Sequence, residues 1–510
     1  MSDWSSGYVS DIGYTFGYYA ELNPMRLKLA FLNAGLAAPE VGAACELGFG
    51  QGLSANVHAA ASVTTWHGTD FNPSQAAHAQ ELASAAGSGA MLADEAFADF
   101  CMRTDLPDFD FIGLHGIWSW ISDENRQVIV DFVRRKLKVG GVLYISYNTL
   151  PGWAAFAPMR HLLTQHAEVI GANGGGTISQ VNGALQFADK LLATNPLFTR
   201  ANPQVTERLK KLGEQNRQYL AHEYFNRDWH PMHFATMAEW LGPSKVSYAC
   251  SAHPLDHIDA VNLTAEQQAL LQEIPDAMFR ESVRDFMVNQ QFRRDYWVKG
   301  PRKLAPLEQT EMLRKQRLVL TSLRADVSLK VTGSLGEATM TEAIYAPVLD
   351  FLADNHPRTL GEIEKVASDK KVNFSQLVQA VMVLSAGGHL AIAHSESDTA
   401  GAKLHTDRLN LHLMQKARST GDISYLASPL TGGAISVGRF QQLFLLALHN
   451  GKAAPADWAK EVWAVLSAQG QRIVKDGVAL EGEANTAELD RQAQQFAKRQ
   501  LPLLRALGIA

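Results

Sequence analysis

Cysteine is scarce in this 510-residue chain: Cys45, Cys101 and Cys250 stand far apart and form no CxxC pair. Neither a zinc ligand set nor a disulfide framework is indicated, and buried free thiols in a reducing compartment are expected. An excess of one charge is missing too. The 46 Lys and Arg against 52 Asp and Glu leave a net charge of −6, so no basic field attracts phosphate backbones or anionic lipid, and nucleic acid is disfavoured as a partner. No stretch supplies the roughly 18 uninterrupted apolar residues of a membrane span. The opening MSDWSSGYVSDIGYTFGYY lacks the basic start and apolar core of a signal peptide. A cytoplasmic protein without membrane insertion is expected. Internal repeats and low-complexity tracts are also absent.

What is present is ample apolar material. Hydrophobic residues make up 46% and charged residues 19% of the sequence, a composition that supports large cores. A chain of this length exceeds one ordinary core, since domains cluster near roughly 100–200 residues. Over residues 41–148, short apolar runs alternate with helix-like segments, the pattern of a parallel sheet covered on both faces. The strand candidates are Ala43–Leu47, Val63–Thr69, Gly89–Ala93, Phe109–Leu114 and Val142–Tyr147, with a helix from Asp123 to Lys138 whose last turn is basic. The fold class is therefore α/β, doubly wound and Rossmann-like. A helix at Pro231–Leu241 and a strand at Val246–Ser251 return the chain to the sheet. Thr264–Met287 reads as one helical stretch, followed by the charged segment RRDYWVKGPRK. Helices over Thr341–Asn355, Thr359–Ser368 and Ser375–Ala386, then a strand at His389–Ala393, suit a winged helix. The expected units are 1–255 with a helical insertion at 153–222, a helical region at 256–336, a winged-helix-like unit at 337–396 and a helical domain at 397–510.

The strongest chemical signal is Glu46-Leu47-Gly48-Phe49-Gly50-Gln51-Gly52, where the first strand gives way to a helix. Glycines there let backbone turn tightly and approach a nucleoside, with helix amides facing polarised groups. Leu53 occupies the place where a dinucleotide fingerprint wants Gly or Ala, which disfavours NAD. Asp70 ends the second strand, where a carboxylate can accept hydrogen bonds from ribose hydroxyls. Asp94 and Glu95 follow the third strand as acceptors for an adenine amino group, with Phe97 as a wall for the ring.

These motifs resemble class I methyltransferases. More narrowly, GYTFGYYAELNP at 13–24, ELGFGQG at 46–52, HGIWSW at 115–120, SYNTLPGW at 146–153, HEYFN at 222–226 and FRRDYWVKG at 292–300 resemble methyltransferases with a methyltransferase regulatory domain, a group that includes rickettsial outer-membrane-protein lysine methyltransferases. The resemblance implies S-adenosylmethionine as cofactor, held by Glu46, Gly48, Gly50, Gly52, Asp70, Asp94, Glu95 and Phe97.

The acceptor side is expected at the carboxyl edge of strands four and five. His115, Trp118, Tyr147 and Asn148 are the catalytic candidates, aligning an amine or receiving its proton, with Tyr14, Tyr18 and Trp120 contacting substrate; the competing reading of the aromatics is core packing. Arg293, Arg294 and Lys299 read as a solvated face, or as groups that clamp domains or contact an acidic protein substrate. A protein lysine acceptor leads, with a small-molecule N- or O-methyltransferase and a cofactor-binding sensor as alternatives. A protein substrate and a homodimer are the expected partners, and no residue spacing indicates a metal.

Overall fold

The computed structural model describes residues 15–171 and 176–510; Tyr14 lies outside them. Seven strands form one sheet: β1 Ala43–Leu47, β2 Thr65–Thr69, β3 Met91–Ala93, β4 Phe109–Leu114, β5 Leu137–Asn148, β6 Ser247–Ser251 and β7 Phe292–Val298. Their order is β3-β2-β1-β4-β5-β7-β6. β1 pairs in parallel with both β2 and β4, and β7 runs antiparallel between β5 and β6. The central strands read as nearly continuous apolar runs because helices cover both faces. The helix Asp123–Lys136 behaves as its sequence implies, with acidic residues in the first turn, Arg134, Arg135 and Lys136 in the last, and Ser122 as its N-cap.

The sheet runs past the boundary expected at residue 255. The charged stretch FRRDYWV is strand β7, not a solvated face. It can be interior because Arg293 and Asp295, two apart on one side of the strand, pair with each other at 3.0 Å. The stretch 264–287 is two helices, Ala265–Glu273 and Ala277–Met287. Pro275 interrupts them, and Thr264 and Asp276 supply separate N-caps.

The insertion after β5 folds as helices at Ala157–Val169, Gly176–Ala193, Leu197–Ala201, Gln204–Gly213 and Arg217–Tyr224. Trp153, Phe156, Leu163, Val181, Leu209 and Tyr224 give it a small core of its own. Farther on, the three helices of the suggested winged unit form at Glu342–Phe351, Leu360–Asp369 and Phe374–Ala386. The wing does not. Leu390–Ile392 pairs with the upstream strand Arg317–Leu320, and the chain then enters the helix Glu396–Lys416 instead of a second wing strand. The C-terminal helices are not an isolated lobe, since Leu443, Trp458 and Phe496 share a core with Leu53, Val57 and Leu82 behind β1 and β2. Cys45, Cys101 and Cys250 are all buried free thiols. No helix among the described residues is long and apolar enough to cross a membrane.

Candidate active site

A cavity of about 1350 Å³ opens at the carboxyl edge of β1, β2, β4 and β5 and is roofed by the helical insertion. Its first half is built by the glycine loop. Gly48, Gly50 and Gly52 all have positive φ, at +74°, +58° and +69°, a region that side chains disfavour. A Cβ on Gly52 would stand 2.3 Å from Ala79 Cβ, so this glycine lets two helices touch; at Gly50 the nearest atom would be 3.9 Å away. Gly50 thus leaves open space for a ligand to meet backbone.

Asp70 ties this loop to the second strand. Its Oδ2 accepts from the Gly50 N–H at 2.8 Å and its Oδ1 from the Asn72 N–H at 3.0 Å. Burial raises its carboxyl to about 6, against those backbone hydrogen bonds. Beneath it Glu46 is almost fully buried, with Oε2 unpartnered among the described residues. Burial, then the neighbouring Asp70, pushes the Glu46 carboxyl up to about 8. Glu95 and Phe97 line the cavity. Glu95 Oε1 accepts from Arg103 at 3.1 Å while its Oε2 is buried and unpartnered among the described residues. Asp94 is exposed and does not line the cavity, because the chain turns outward as β3 ends at Ala93.

The second half collects aromatic rings. His115 stacks on Tyr19 with centroids 3.8 Å apart, and its Nδ1 is 2.8 Å from the Tyr144 hydroxyl. Burial drives its imidazole down to about 4, so the ring is neutral at physiological pH. Asn148 lines the cavity beside Phe292, which β7 brings into register with it. Trp120 also lines it, 6.4 Å from Trp229.

Three expected acceptor residues point elsewhere. Trp118 is fully buried, its indole N–H directed at Met232 Sδ at 3.4 Å and its ring near Arg126 and Trp240; it is core. Tyr147 is also fully buried, and its hydroxyl donates to Asp295 at 2.9 Å. Successive strand residues face opposite ways, so Asn148 reaches the cavity and Tyr147 the far side. Tyr18 lies 3.2 Å from His58 Nε2 through its hydroxyl and packs against Tyr425, leaving the cavity to Tyr19. Sequence reasoning missed Tyr19 and Tyr144, although counting back in twos from Asn148 would have found Tyr144. It also missed the roof residues Trp153, Phe156, Arg208 and Tyr224.

Behind the cavity, Arg293 is buried among three carboxylates: Asp285 at 2.6 Å, Glu281 at 2.8 Å and Asp295 at 3.0 Å. Burial, against the pull of Arg293, raises Asp285 to about 7. Arg294, on the opposite side of β7, pairs with Glu21 at 3.0 Å. Lys299 Nζ donates to the carbonyls of Arg134 and Leu137 at 2.8 Å each, closing the end of a helix. Among the described residues no cluster of His, Cys, Asp and Glu could hold a metal.

A glycine-lined cleft at the strand ends of a seven-stranded sheet with one reversed strand defines the class I methyltransferase fold. A family model described as a predicted methyltransferase regulatory domain matches residues 216–299, which contain β6 and β7. The Synechocystis sp. protein sll1526 is 41% identical over 99% of this chain and 100% of its own length, and the chain belongs to that protein's family. The Rickettsia prowazekii protein RP789 is 26% identical over 56% of this chain and 51% of its own. The fold is also that of PKMT2 from Rickettsia typhi, solved in complex with AdoHcy, with a TM-score of 0.70 and 18% identity across 97% of this chain and 100% of PKMT2.

Proposed function

We propose that this protein is an S-adenosylmethionine-dependent methyltransferase acting on an amine, with a protein lysine as the acceptor. The residues of the first half suit the cofactor. Asp70 retains lone pairs for ribose hydroxyls, Glu95 Oε2 is a buried acceptor for an adenine amino group, and the open face of Gly50 admits the nucleoside. Bound there, S-adenosylmethionine supplies a methyl group on a cationic sulfonium. Binding of AdoHcy to a protein of the same fold agrees with this reading.

The observation that carries the amine is the charge of the cavity: beside Glu46, whose raised carboxyl keeps its proton at neutral pH, six carboxylates line it against three Lys or Arg side chains. A cationic acceptor is drawn in, and an anionic one is repelled. Neutral His115 adds no positive charge opposite the sulfonium. Asn148 can accept a hydrogen bond from the amine and hold its lone pair in line, while Tyr19 and Trp120 exclude water. Lysine's ordinary pKa near 10.4 falls on desolvation beside a cation, which frees that lone pair. Room for both molecules also favours a long side chain, since the cavity exceeds the roughly 300–1,000 Å³ of an ordinary small-molecule pocket. A homodimer and a cytoplasmic setting belong to the same proposal.

The test is transfer of isotopic label from the methyl of S-adenosylmethionine into a fractionated cell extract. Label on lysine in protein is the expected result. Label confined to small molecules would move the acceptor class, and failure to bind either S-adenosylmethionine or AdoHcy would remove the proposal.

A further inference from the structure

The roof of the cavity holds an arrangement that cofactor binding does not use. Trp153 and Phe156 follow β5, and Tyr224 ends the helix Arg217–Tyr224. Their ring centroids are mutually 5.9–6.3 Å apart with interplanar angles of 58–85°, so the rings pack edge to face on one another rather than in a stack. All three side chains are at least nine-tenths buried yet line the cavity. Into this space the helix Gln204–Gly213 projects Arg208, whose guanidinium carbon lies 3.8 Å from the Trp153 centroid and 4.8 Å from that of Phe156. Arg208 forms no ion pair with a described carboxylate, and its hydrogen bond to Gln291 Oε1 is long at 3.5 Å. Its remaining company is the two ring faces and the Tyr224 hydroxyl, to which it is hydrogen-bonded.

We propose that the ring faces of Trp153 and Phe156, backed by Tyr224, form a binding site for a methylated ammonium group, with Arg208 as the resident cation that the ligand displaces. Ring faces attract any cation. They offer few hydrogen-bond acceptors, so a primary ammonium brought there loses water from three N–H groups without replacement. A di- or trimethylated ammonium has one such group or none, and desolvates at lower cost. The site therefore selects the product of methylation over the unmodified amine. Displacement needs no refolding, because the buried Val205, Leu209 and Leu212 hold the helix in place and Arg208, beside them and half-buried, has only to change rotamer. The inference rests on the amine-acceptor reading for its biological meaning, but the site can be measured without any transfer.

Full-length protein is titrated calorimetrically with tetramethylammonium chloride and, at equal ionic strength, ammonium chloride. The parent should bind tetramethylammonium weakly. Arg208→Ala, which empties the site, should bind it at least about tenfold more tightly without gaining affinity for ammonium, since the ring attraction is no longer contested. Adding Trp153→Ala should abolish the gain. An unchanged affinity in Arg208→Ala, or an equal gain for both ions, overturns the site. If Arg208→Ala does not fold, saturation transfer from aromatic protons to tetramethylammonium methyls is measured on the parent: transfer supports the site, and its absence at tens of millimolar overturns it. Titration of the same samples with AdoHcy keeps the two proposals separable, since loss of AdoHcy binding alone strikes the methyltransferase reading and loss of the tetramethylammonium response alone strikes the ring site.

Discussion

The two halves of the cavity are built in opposite ways. The half proposed for the cofactor comes from loops leaving β1, β2 and β3, all within residues 46–97, and the residues assigned to it sit at a strand end or in the turn after it. The acceptor half is assembled from the segment around Tyr19, the ends of β4 and β5, the insertion and the start of β7, segments separated by as many as 273 residues, as in the Glu21–Arg294 pair. A short-range site needs a local turn and a few glycines. A long-range site depends on the packing of everything between its parts, so substitutions there should disturb stability and chemistry together.

Arg293→Ala should have the largest effect, because it strips the only shared cation from Glu281, Asp285 and Asp295. Leaving buried carboxylates without their partner costs on the order of 3–5 kcal/mol. The loss should appear as a lower midpoint in denaturant unfolding. A variant as stable as the parent would mean that these carboxylates are protonated or hydrated, and that the reversed strand does not depend on them.

The next contrast lies inside the acceptor half. Trp118→Ala removes a fully buried ring and should cost about 3–5 kcal/mol of stability, while folded protein keeps its affinity for AdoHcy. Trp120→Ala, two residues on and lining the cavity, should instead slow methyl transfer with a smaller change in unfolding midpoint. Thermal melts beside single-turnover rates decide the matter. If the two variants behave alike, the division between core and cavity along this turn fails.

In the cofactor half, Asp70→Asn keeps an oxygen for the Asn72 N–H but loses the charged acceptor. A hydrogen bond to a charged group contributes about 1.5–3 kcal/mol, so AdoHcy affinity should fall roughly ten- to hundredfold by calorimetry, with far less change in stability than Arg293→Ala produces. A collapse of stability with unchanged affinity would make Asp70 a structural tie for the glycine loop.

How much of this was legible in the sequence follows the same division. ELGFGQG, Asp70, Glu95 and Phe97 marked one wall of the cavity because a glycine turn is a local object whose residue types state its geometry. Asp94 and Glu95 could not be separated even with the end of β3 at Ala93 foreseen, because the facing of each is set by the turn that follows the strand. Around the acceptor, Trp118 and Tyr147 were misplaced because a strand terminus gives position along the sheet edge, whereas facing is set by the two-residue alternation and by what covers each side. Strand β7 was hidden for an energetic reason: Arg293 and Asp295 look solvated until Glu281 and Asp285, on a separate helix, neutralise them. The wing was overread, since a strand after three helices does not specify its partner, and here the partner lies upstream at Arg317–Leu320.

The smallest expected effect concerns Glu46 and separates the cofactor's two forms. Burial and Asp70 raise its carboxyl to about 8 from an ordinary value near 4.5, so the folded protein holds this proton through a window in which the unfolded chain has released it. More protons bound in the folded state means that stability falls as pH rises from about 4.5 to about 8, and is flat beyond. Glu46→Gln removes this contribution and should flatten the fall, leaving the parallel ones from Asp70, raised to about 6, and Asp285, raised to about 7. Binding should have the opposite sign. S-adenosylmethionine carries one more positive charge than AdoHcy, so it gains from an ionised Glu46, and its affinity relative to AdoHcy should rise between pH 6 and 9, by less than about tenfold. The ratio cancels changes common to both ligands, including those of the nucleoside contacts. In Glu46→Gln the ratio should lose most of its pH dependence. If it rises as steeply in the variant as in the parent, the responsible carboxylate is another one in the cavity, with Asp70 the first to examine.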